Sequence, residues 1–466
     1  MESSSGPQVQ PETLSKGITR RGAIGALAAA SYRRLLGAND RVQVGFIGHG
    51  LIGVQHVKDF KNLKDVDCAA LAEVYKPRQE AGLAAMGGSP KPYGDFRKML
   101  DDKDLQAIVV CTPDHWHALL TMMSCAAGKD VYVEKPMTLF IKEGRWMTDV
   151  ARKHKRVVQV GTQQRSGKHY QHARDLMQAG YIGKIMSVRF ASSRNITPGF
   201  IVPPDSQAPA YFDYDMWLGP APQRPYNKMR GIYHFRWFWD YAGGQMTNLG
   251  AHELDIVQWV LTAKGPKTAY SAGGRLVLKD GCETPDTQDA IWEYSGCTAN
   301  YSIREAAAGP RTQGGGLQFF GDKGALTINR SGFEIVSDTK TDPLVTVPGV
   351  RQGTHPIGGP SVPANVPSEP WIKELKEPGS SDDQFADHAR NFVDCVKSRQ
   401  RPISDVEEGY QVSTSYHLAN MSLQLGRKLQ WDAEKETIVG DKEAAAKLER
   451  PYRKPWDSVL RGLLAR

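Results

Sequence analysis

The feature that most constrains this chain is a glycine-rich turn between a buried strand and a helix. The apolar run Val42–Ile47 leads into Gly48–Gly53, and a helical pattern follows over Val54–Phe60. In such a unit the first glycine permits a tight turn, the second lets the backbone approach a pyrophosphate, and the third lets the helix pack closely. The helix N-terminus adds free N–H groups and partial positive charge. The predicted dinucleotide contacts in this turn are Gly48, Gly50, Leu51, Ile52 and Gly53.

An acidic residue stands where a dinucleotide-binding turn requires one. Leu71–Val74 is typical of the end of a second strand, and it contains Glu73, about 20 residues after the last glycine. A carboxylate there holds the adenosine ribose hydroxyls and repels a 2′-phosphate, which favours NAD. Lys76 and Arg78 lie close by, so NADP stays open as the alternative. The competing interpretation is a glycine-rich turn in another kind of α/β protein.

Composition excludes several other classes of protein. The chain has 466 residues, which suggests two or three domains, and a formal net charge of +8 without a long basic run interleaved with aromatics. Nucleic-acid binding is therefore not indicated, and no apolar run is long enough for a membrane span. The six cysteines form no C-x-x-C pair, and we expect no metal site. Cys282 and Cys297 could face each other across a hairpin, either as a disulfide or as buried thiols.

Residues 1–38 are interpreted as a leader and are excluded from the fold. Arg20 and Arg21 precede an apolar stretch of small residues, with Ala28–Ala30 as a candidate cleavage site. This pattern is typical of a twin-arginine export signal and predicts a periplasmic protein. The alternative is a disordered basic leader, in which case the protein is cytoplasmic.

Residues 39–160 alternate between strand and helix patterns, which predicts a doubly wound parallel sheet that binds its ligand at the carboxyl ends of the strands. The predicted strands are Val42–Ile47, Cys68–Val74, Ala107–Cys111, Asp130–Val133 and Val157–Val160. The amphipathic stretches between them include Phe96–Leu100, Ala118–Ala127 and Lys142–Lys153.

Residues 161–380 change to longer strands joined by turns, which predicts a substrate and oligomerisation domain with a mainly antiparallel, open sheet. Its predicted strands are Lys184–Ser193, Thr268–Leu278, Asp289–Ile303, Leu317–Phe320 and Ala325–Asn329. Tyr211–Asp240 is predicted to be a long loop, and residues 341–381 an irregular one. Residues 381–432 contain the predicted helices Phe385–Ser398 and Gly409–Leu425, expected to pack back on the core. Residues 433–466 are expected to form a charged tail.

Two motifs follow neighbouring strands of the predicted parallel sheet. Thr112-Pro113-Asp114 leads to His117 after one strand, and Glu134-Lys135-Pro136 follows the next. A lysine at the carboxyl end of a strand is well placed for proton transfer, and a nearby nicotinamide cation should lower its pKa. The alternative is a surface lysine in a turn.

A third motif lies on a helix in the second domain. Within Gly243–Trp259, the residues Asn248, His252 and Asp255 fall on one helical face. Three polar groups on a mostly apolar helix are costly to bury unless they are paired or used. The alternative is that His252 is a satisfied core histidine.

Together, in this order, the four motifs resemble those of the glucose–fructose oxidoreductase / inositol dehydrogenase (Gfo/Idh/MocA) family, over about residues 39–432. The resemblance implies an N-terminal Rossmann domain and a C-terminal α/β domain with an open antiparallel sheet, paired in dimers or tetramers. It implies hydride transfer between a carbon of a sugar, sugar derivative or cyclitol and a tightly held NAD(P). The leader is similar to that of the exported branch.

The resemblance also implies roles for individual residues. Lys135 would be the proton-relay lysine and His252 the acid/base that touches the reacting hydroxyl. The implied cofactor contacts beyond the glycine turn and Glu73 are Thr112, Pro113, His117, Glu134, Lys135 and Gln163. The implied substrate contacts are Lys135, Arg165, Arg236, Trp237, Tyr241, Asn248 and His252.

One position departs from the pattern, because many members of the family carry aspartate where this chain has Asn248. An amide can orient a hydroxyl but cannot accept a proton. The expected acid/base pair is therefore Lys135 with His252, and Asn248 is a third catalytic candidate. Three functions remain open: an NAD-dependent sugar or cyclitol dehydrogenase, an NAD-dependent glycosidase that oxidises its substrate transiently, and a non-catalytic sugar-binding protein. The known glycosidase branch lacks the Glu-Lys-Pro lysine, so Lys135 weighs against the second.

Overall fold

A computed structural model describes residues 41–307, 316–340 and 369–465. The expected leader and most of the predicted irregular segment 341–381 lie outside these residues. The strands of the N-terminal half are β1 (Val42–Ile47), β2 (Val66–Ala72), β3 (Lys91–Tyr93), β4 (Ala107–Val110), β5 (Asp130–Val133) and β6 (Val158–Val160). They form one sheet in the order β3-β2-β1-β4-β5-β6, and every neighbouring pair is parallel. This order is that of a dinucleotide-binding sheet, so the predicted fold class is confirmed. The short edge strand β3 was not predicted.

Helices cover both faces of this sheet. The helices of the N-terminal half are α1 (Leu51–Lys61), α2 (Lys76–Met86), α3 (Phe96–Leu100), α4 (Asp114–Ala126) and α5 (Ile141–Lys153). Alternate side chains of β4 enter two different cores, with Ile108 and Val110 in one and Ala107 and Val109 in the other. A strand buried on both faces has to be apolar throughout, which is why β4 is an uninterrupted apolar run.

The second half is built on a ten-stranded sheet. Its strands are β7 (Ser187–Ser193), β8 (Thr268–Gly274), β9 (Thr287–Tyr294), β10 (Cys297–Arg304), β11 (Leu317–Phe320), β12 (Gly324–Asn329), β13 (Gly332–Ser337), β14 (Leu375–Pro378), β15 (Leu429–Asp432) and β16 (Thr437–Ile438). The order is β14-β13-β12-β11-β7-β10-β9-β8-β15-β16. Only the pair β7 and β10 is parallel among these strands, so the prediction of a mainly antiparallel sheet is confirmed.

Two local predictions in this region are wrong. The stretch Asp289–Ile303 is not one strand but the hairpin β9–β10, because Gly296 adopts a φ of +79° at the turn. Strand β14 lies within the stretch expected to be irregular. Cys282 and Cys297 are both free thiols, so the disulfide alternative does not apply.

One face of the ten-stranded sheet is covered by helices and the other is open. The covering helices are α6 (Lys168–Gln178), α8 (Gly244–Asn248), α9 (Gly250–Leu261) and α11 (Val406–Leu425). Side chains along β9 alternate strictly between buried and exposed, and Trp292 and Tyr301 are fully buried on the covered face. Phe190 stacks on Tyr301 with ring centroids 4.5 Å apart. The open face is therefore continuous over several strands.

The remaining helices join the two sheets. Helix α10 (Ser381–Ser398) packs on the first domain, where Phe392 contacts Phe60 at 6.1 Å and Tyr132 at 5.8 Å between ring centroids. The expected loop Tyr211–Asp240 contains helix α7 (Tyr214–Leu218) and a 3₁₀ turn at His234–Trp237.

The described residues from Val42 onward form one compact unit. Within the described ranges, no helix has the length and apolar character that crossing a bilayer requires.

The segment expected to be a charged tail is folded. It contains helices α12 (Lys442–Ala446) and α13 (Trp456–Ala465). Trp456 contacts Trp116 at 4.8 Å and stacks on Phe96 at 6.1 Å between ring centroids. Large apolar side chains within this charged segment pack on the first domain, so the C-terminal helix is part of the core.

We predict that Trp456→Ala lowers the free energy of unfolding by about 3–5 kcal/mol, because a side chain only 4 % exposed leaves a large cavity. Chemical denaturation followed by circular dichroism measures the change. Leu464→Ala is the control in the same helix; at 39 % exposure it should cost less than about 1 kcal/mol. Equal effects of the two substitutions would show that the C-terminal helix is not docked.

Candidate active site

The three glycines of the turn after β1 have different physical roles. Gly48 has a φ of +92°, and a Cβ there would lie 2.8 Å from the Cys111 carbonyl oxygen. A Cβ at Gly53 would lie 2.9 Å from the Gly48 carbonyl oxygen. A Cβ at Gly50 would meet only the Arg78 guanidinium, at 3.7 Å. The first and third glycines are therefore required by packing, whereas the second keeps the cleft open for a ligand to approach.

A cleft of about 860 Å³ opens at the carboxyl ends of β1, β2 and β4. One wall carries the glycine turn, Glu73, Thr112 and Pro113. The opposite wall comes from the second half of the chain, through Met216–Trp217 and Ile232–Arg236. Gly50 caps α1 without a side-chain hydrogen bond, so the helix turns its N–H groups toward this space. These features fit the pyrophosphate of a dinucleotide.

Glu73 is fixed at the edge of the cleft by backbone donors. His49 N donates to its Oε2 at 2.8 Å, and Tyr75 N donates to its Oε1 at 2.9 Å. Each carboxylate oxygen can accept a further hydrogen bond, which leaves capacity for ribose hydroxyls. Arg78 lines the same cleft. The carboxylate beside the turn agrees with the preference for NAD.

Glu134 is a buried carboxylate, and both of its oxygens accept hydrogen bonds. His56 Nε2 lies 2.7 Å from Oε1, Gln163 Nε2 donates to Oε1 at 2.7 Å, and the Lys135 backbone N donates to Oε2 at 3.0 Å. Burial by itself raises the pKa of Glu134, but the His56 hydrogen bond and charge and the Lys135 charge bring it below its usual value. A Cβ at Gly161 would lie 2.4 Å from Glu134 Oε1, so glycine is needed there. The network fixes the backbone of the lysine.

His117 joins the two strand-end motifs. Its Nδ1 lies 2.7 Å from the Pro136 carbonyl oxygen and its Nε2 lies 2.8 Å from the Thr112 carbonyl oxygen. Both partners are carbonyl oxygens, so each ring nitrogen faces a hydrogen-bond acceptor. His117 is buried and holds the two loops together, rather than opening onto the cleft.

The Lys135 ammonium reaches across to the second domain. Its Nζ donates to the Asn248 carbonyl oxygen at 2.9 Å and to Asn248 Oδ1 at 3.0 Å. Burial lowers the pKa of Lys135 to about 8; Glu134 and Asp114 oppose this shift, and Arg236 and Arg330 add to it. At neutral pH a usable fraction of Lys135 is therefore unprotonated.

His252 is held as a neutral imidazole. Burial, followed by the charges of Lys135 and Arg330, keeps its pKa well below the usual value. Arg330 Nη2 makes a long contact of 3.4 Å to Nε2. The side chain is 6 % exposed, and Nδ1 has no hydrogen-bond partner among the described residues. A neutral ring beside Lys135 can accept a proton from a hydroxyl.

Three of the predicted substrate residues lie away from the cleft. Arg165 Nε donates to Asp255 Oδ2 at 2.7 Å in a fully buried ion pair. Trp237 Nε1 donates to Glu305 Oε2 at 2.8 Å, and Tyr241 is completely buried against Trp217. These three side chains are held in the interior by Asp255, Glu305 and Trp217, so the structure gives them a supporting place. Of the implied set, Arg236 does line the cleft.

The structure adds three residues that the sequence did not single out. Asp114 is buried at the start of α4, and burial raises its pKa against the charges of His117, Arg236 and Lys135. Gln245 accepts from Asn248 Nδ2 at 3.0 Å and donates to Glu305 at 2.8 Å. Arg330 comes from the turn between β12 and β13. Asp114 and Gln245 lie within sequence motifs, so the sequence could have indicated them. Arg330 lies in none of the motifs, so no sequence pattern indicates its role.

The fold and this cleft define a class, the two-domain NAD-binding oxidoreductases. Residues 42–162 match a model described as "Oxidoreductase family, NAD-binding Rossmann fold", and residues 194–270 and 370–458 match "Oxidoreductase family, C-terminal alpha/beta domain". The chain belongs to the Gfo/Idh/MocA oxidoreductase family.

Relatives of established name match part of the chain. Inositol 2-dehydrogenase of Salmonella typhimurium is 26 % identical over 149 residues, which is 32 % of this chain and 44 % of that protein. A glycosyl hydrolase family 109 protein of a Shewanella species is 25 % identical over 155 residues, 32 % of this chain and 34 % of that protein. The chain thus spans less than half the length of these relatives. An NAD-binding protein from Listeria innocua shares the fold, with a TM-score of 0.60 and 18 % identity over 84 % of this chain and 99 % of that one.

We predict that Gly50→Ala weakens NAD binding at least tenfold, about 1.4 kcal/mol, because the new methyl group occupies the space through which a pyrophosphate approaches. Isothermal titration calorimetry with NAD measures the affinity. The free energy of unfolding should stay within about 1 kcal/mol of the parent value, since the methyl group meets no backbone. Gly462→Ala, in an open position on α13, is the control; it should leave NAD affinity unchanged and raise the free energy of unfolding by about 0.5–1 kcal/mol. Unchanged NAD affinity in Gly50→Ala would contradict the placement of the pyrophosphate.

Proposed function

We propose that this protein is an NAD-dependent dehydrogenase that transfers a hydride between the hydroxyl-bearing carbon of a sugar, sugar derivative or cyclitol and the nicotinamide. The observation that carries the proposal is the contact of Lys135 with the helical segment that carries His252. Lys135 bonds to Asn248, four residues before His252, and the environment lowers the pKa of both Lys135 and His252. The inositol 2-dehydrogenase relative supports a polyol substrate.

Each residue has a separate task in this proposal. Bound NAD supplies the acceptor for the hydride. His252, held neutral, takes the proton of the substrate hydroxyl at a ring nitrogen, and Lys135 passes a proton onward because its pKa of about 8 lies near working pH. Asn248 orients the hydroxyl and anchors the lysine, but cannot itself accept a proton. Glu134 keeps the lysine backbone in place.

The walls of the cleft support a tightly held cofactor. Trp217 and the stretch Ile232–Arg236 cover the side opposite the glycine turn. Arg236 lies over the rings of Phe235 at 4.9 Å and Tyr233 at 5.3 Å, so it is braced at the cleft. A dinucleotide enclosed from both halves of the chain would dissociate slowly. Glu73 supports NAD over NADP, because its carboxylate repels a 2′-phosphate.

The second candidate is an NAD-dependent glycosidase that oxidises a sugar transiently, eliminates the aglycone and reduces the product again. The family 109 relative favours it. Lys135 weighs against it. Release of aglycone from a nitrophenyl glycoside, without net NADH, would support the glycosidase over the dehydrogenase.

Location and assembly are further parts of the proposal. The paired Arg20–Arg21 and the small apolar residues after it support export to the periplasm by the twin-arginine pathway; a leader without this activity would leave the protein in the cytoplasm. The exposed Tyr270, Ile291 and Val336 on the open face of the ten-stranded sheet support a homodimer or homotetramer.

We predict that Lys135→Met lowers kcat at least about 100-fold while NAD affinity changes less than about threefold, because the proton carrier is lost and the cofactor cleft stays intact. NADH fluorescence over a panel of myo-inositol, hexoses and methyl glycosides measures turnover, and calorimetry measures NAD affinity. Lys153→Met, on the exposed side of α5, is the matched control and should keep full turnover. Near-normal turnover of Lys135→Met would refute the role of the lysine.

We predict that kcat/KM for oxidation rises with pH through about 8 and then levels off. The base form of Lys135 is required, and this form accumulates as pH passes the pKa of about 8. His252 stays neutral over this range and adds no inflection, since its pKa lies well below neutrality. Initial rates between pH 6 and 10 at saturating NAD test this profile. A flat profile between pH 7 and 9 would exclude Lys135 as the titrating group.

A further inference from the structure

Two arginines act on Lys135 from different places. Arg236 lines the dinucleotide cleft. Arg330 is not among the residues that line this cleft, and its guanidinium contacts His252 Nε2 at 3.4 Å. Arg330 therefore lies on the side of Lys135 where the substrate meets the acid/base histidine.

Arg330 differs from several of the buried and half-buried arginines of the described residues. Arg165, Arg194 and Arg275 each form an ion pair with a carboxylate. Arg330 makes no ion pair with any carboxylate of the described residues, although it is half-buried. A desolvated guanidinium without a counter-charge is costly, so a fold retains one where a ligand supplies the missing anion.

The guanidinium is also held in position. It lies over the ring of Phe385 with its carbon 5.4 Å from the centroid. Gln384 Nε2 donates to the Arg330 carbonyl oxygen at 3.1 Å, which ties the β12–β13 turn to α10. A stacked guanidinium presents a rigid set of donors that matches the two oxygens of a carboxylate or a phosphate.

The carboxyl groups nearby give Arg330 little counter-charge. Glu253, next to His252, is the acid on which the Arg330 charge acts, but burial raises its pKa to about 7, against the effects of Gln164 and Arg330. Glu134 is occupied by His56, Gln163 and the Lys135 backbone. A net positive charge from Lys135 and Arg330 thus surrounds His252 at neutral pH.

A second observation points to a ligand at the same place. His252 Nδ1 is buried without a hydrogen-bond partner among the described residues. Buried polar atoms left without partners are costly and are rare in folded proteins. A hydroxyl of a polyhydroxy compound would satisfy His252 Nδ1, and an acidic group on the same compound would satisfy Arg330.

We propose that Arg330 forms an anion subsite in the substrate pocket and that the substrate is a sugar or cyclitol bearing a carboxylate or a phosphate. This inference rests on the proposed dehydrogenase function. Because Arg330 Nη2 lies 3.4 Å from His252 Nε2, a hydroxyl bonded to the Nδ1 atom of that ring lies within roughly 8 Å of the guanidinium. The anionic group is therefore only a few bonds from the carbon that is oxidised.

The test compares neutral and anionic partners of one sugar on the NAD-loaded enzyme. Glucose is compared with glucuronate and glucose 6-phosphate, and galactose with galacturonate, by NADH fluorescence. We expect the anionic partner to exceed the neutral one at least tenfold in kcat/KM, and the uronate and phosphate arms identify which anion is preferred. In Arg330→Gln the ratio of anionic to neutral activity should fall at least tenfold, whereas Arg330→Lys should retain part of the preference.

The control is Arg461→Gln, an exposed arginine of α13 that should keep the parent ratio. NAD affinity and thermal unfolding establish that each variant is folded, and Arg330→Lys replaces Arg330→Gln if the latter does not fold. Neutral sugars that are as good as their anionic partners, or an equal loss on both in Arg330→Gln, would overturn the subsite.

Failure of the subsite and failure of the dehydrogenase function are separable. Binding of glucuronate and glucose 6-phosphate to the NAD-loaded protein is measured directly by thermal shift and calorimetry. Binding that is lost in Arg330→Gln, without NADH formation in the parent, would support the subsite and refute the dehydrogenase. Anions that neither bind nor turn over would overturn the subsite alone when neutral sugars are oxidised.

Discussion

The contact between the Lys135 ammonium and Asn248 is the interaction on which the site depends. It joins the carboxyl end of β5 in the parallel sheet to the helix pair α8–α9 on the second sheet, at 2.9 and 3.0 Å. The two partners are 113 residues apart in the chain, so the contact exists only when both halves are folded against each other. Burial of the ammonium at this junction is also the main cause of its lowered pKa. Assembly of the two halves and activation of the lysine are thus the same event.

A buried carboxylate makes this arrangement stable. Glu134 precedes the lysine and accepts hydrogen bonds from Gln163 and the lysine backbone, with His56 as its third partner. An unpaired buried carboxylate would take up a proton, whereas a fully bonded one keeps its charge. Its negative charge opposes the fall in the lysine pKa, and the value of about 8 is the balance of burial against this attraction. Burial and the charges of Arg236 and Arg330 therefore bring the pKa of the lysine toward neutrality against the attraction of Glu134.

The sequence predicts those parts of the structure that depend on local pattern. The parallel sheet follows from apolar runs such as Ala107–Val110, and the glycine turn follows from the spacing of Gly48, Gly50 and Gly53, because each is decided by neighbours along the chain. The motifs place Lys135 at a strand end and Asn248 on the helical segment that also carries His252, which is why the approach of the two segments was foreseeable. Motif membership does not determine side-chain direction. Trp237 belongs to an aromatic run near the cleft, yet its ring turns inward to Glu305, since a buried indole N–H needs an acceptor.

Long-range placement accounts for what the sequence did not predict. Arg330 reaches His252 from a β-turn 78 residues further along the chain, and only the register of β12 and β13 brings it there. Residues 433–465 contain enough charge to suggest a tail, and the docking of Trp456 between Trp116 and Phe96 depends on a hollow made by other elements. Arg165 has the residue type of a substrate contact, but its partner Asp255 lies on α9 and draws it into the interior.

This geometry explains what an amide at Asn248 does that a carboxylate would not. An aspartate there would place a negative charge 3.0 Å from the ammonium and would hold Lys135 in its protonated form, because an opposite charge at that distance favours the charged state. The amide binds the same ammonium through neutral oxygens and leaves the lysine able to release its proton. It also withholds a counter-charge from the pocket, so that the positive charges of Lys135 and Arg330 remain available to a ligand. The departure from aspartate, the lowered pKa of the lysine and the absence of an ion pair for Arg330 among the described residues are therefore three aspects of one electrostatic arrangement.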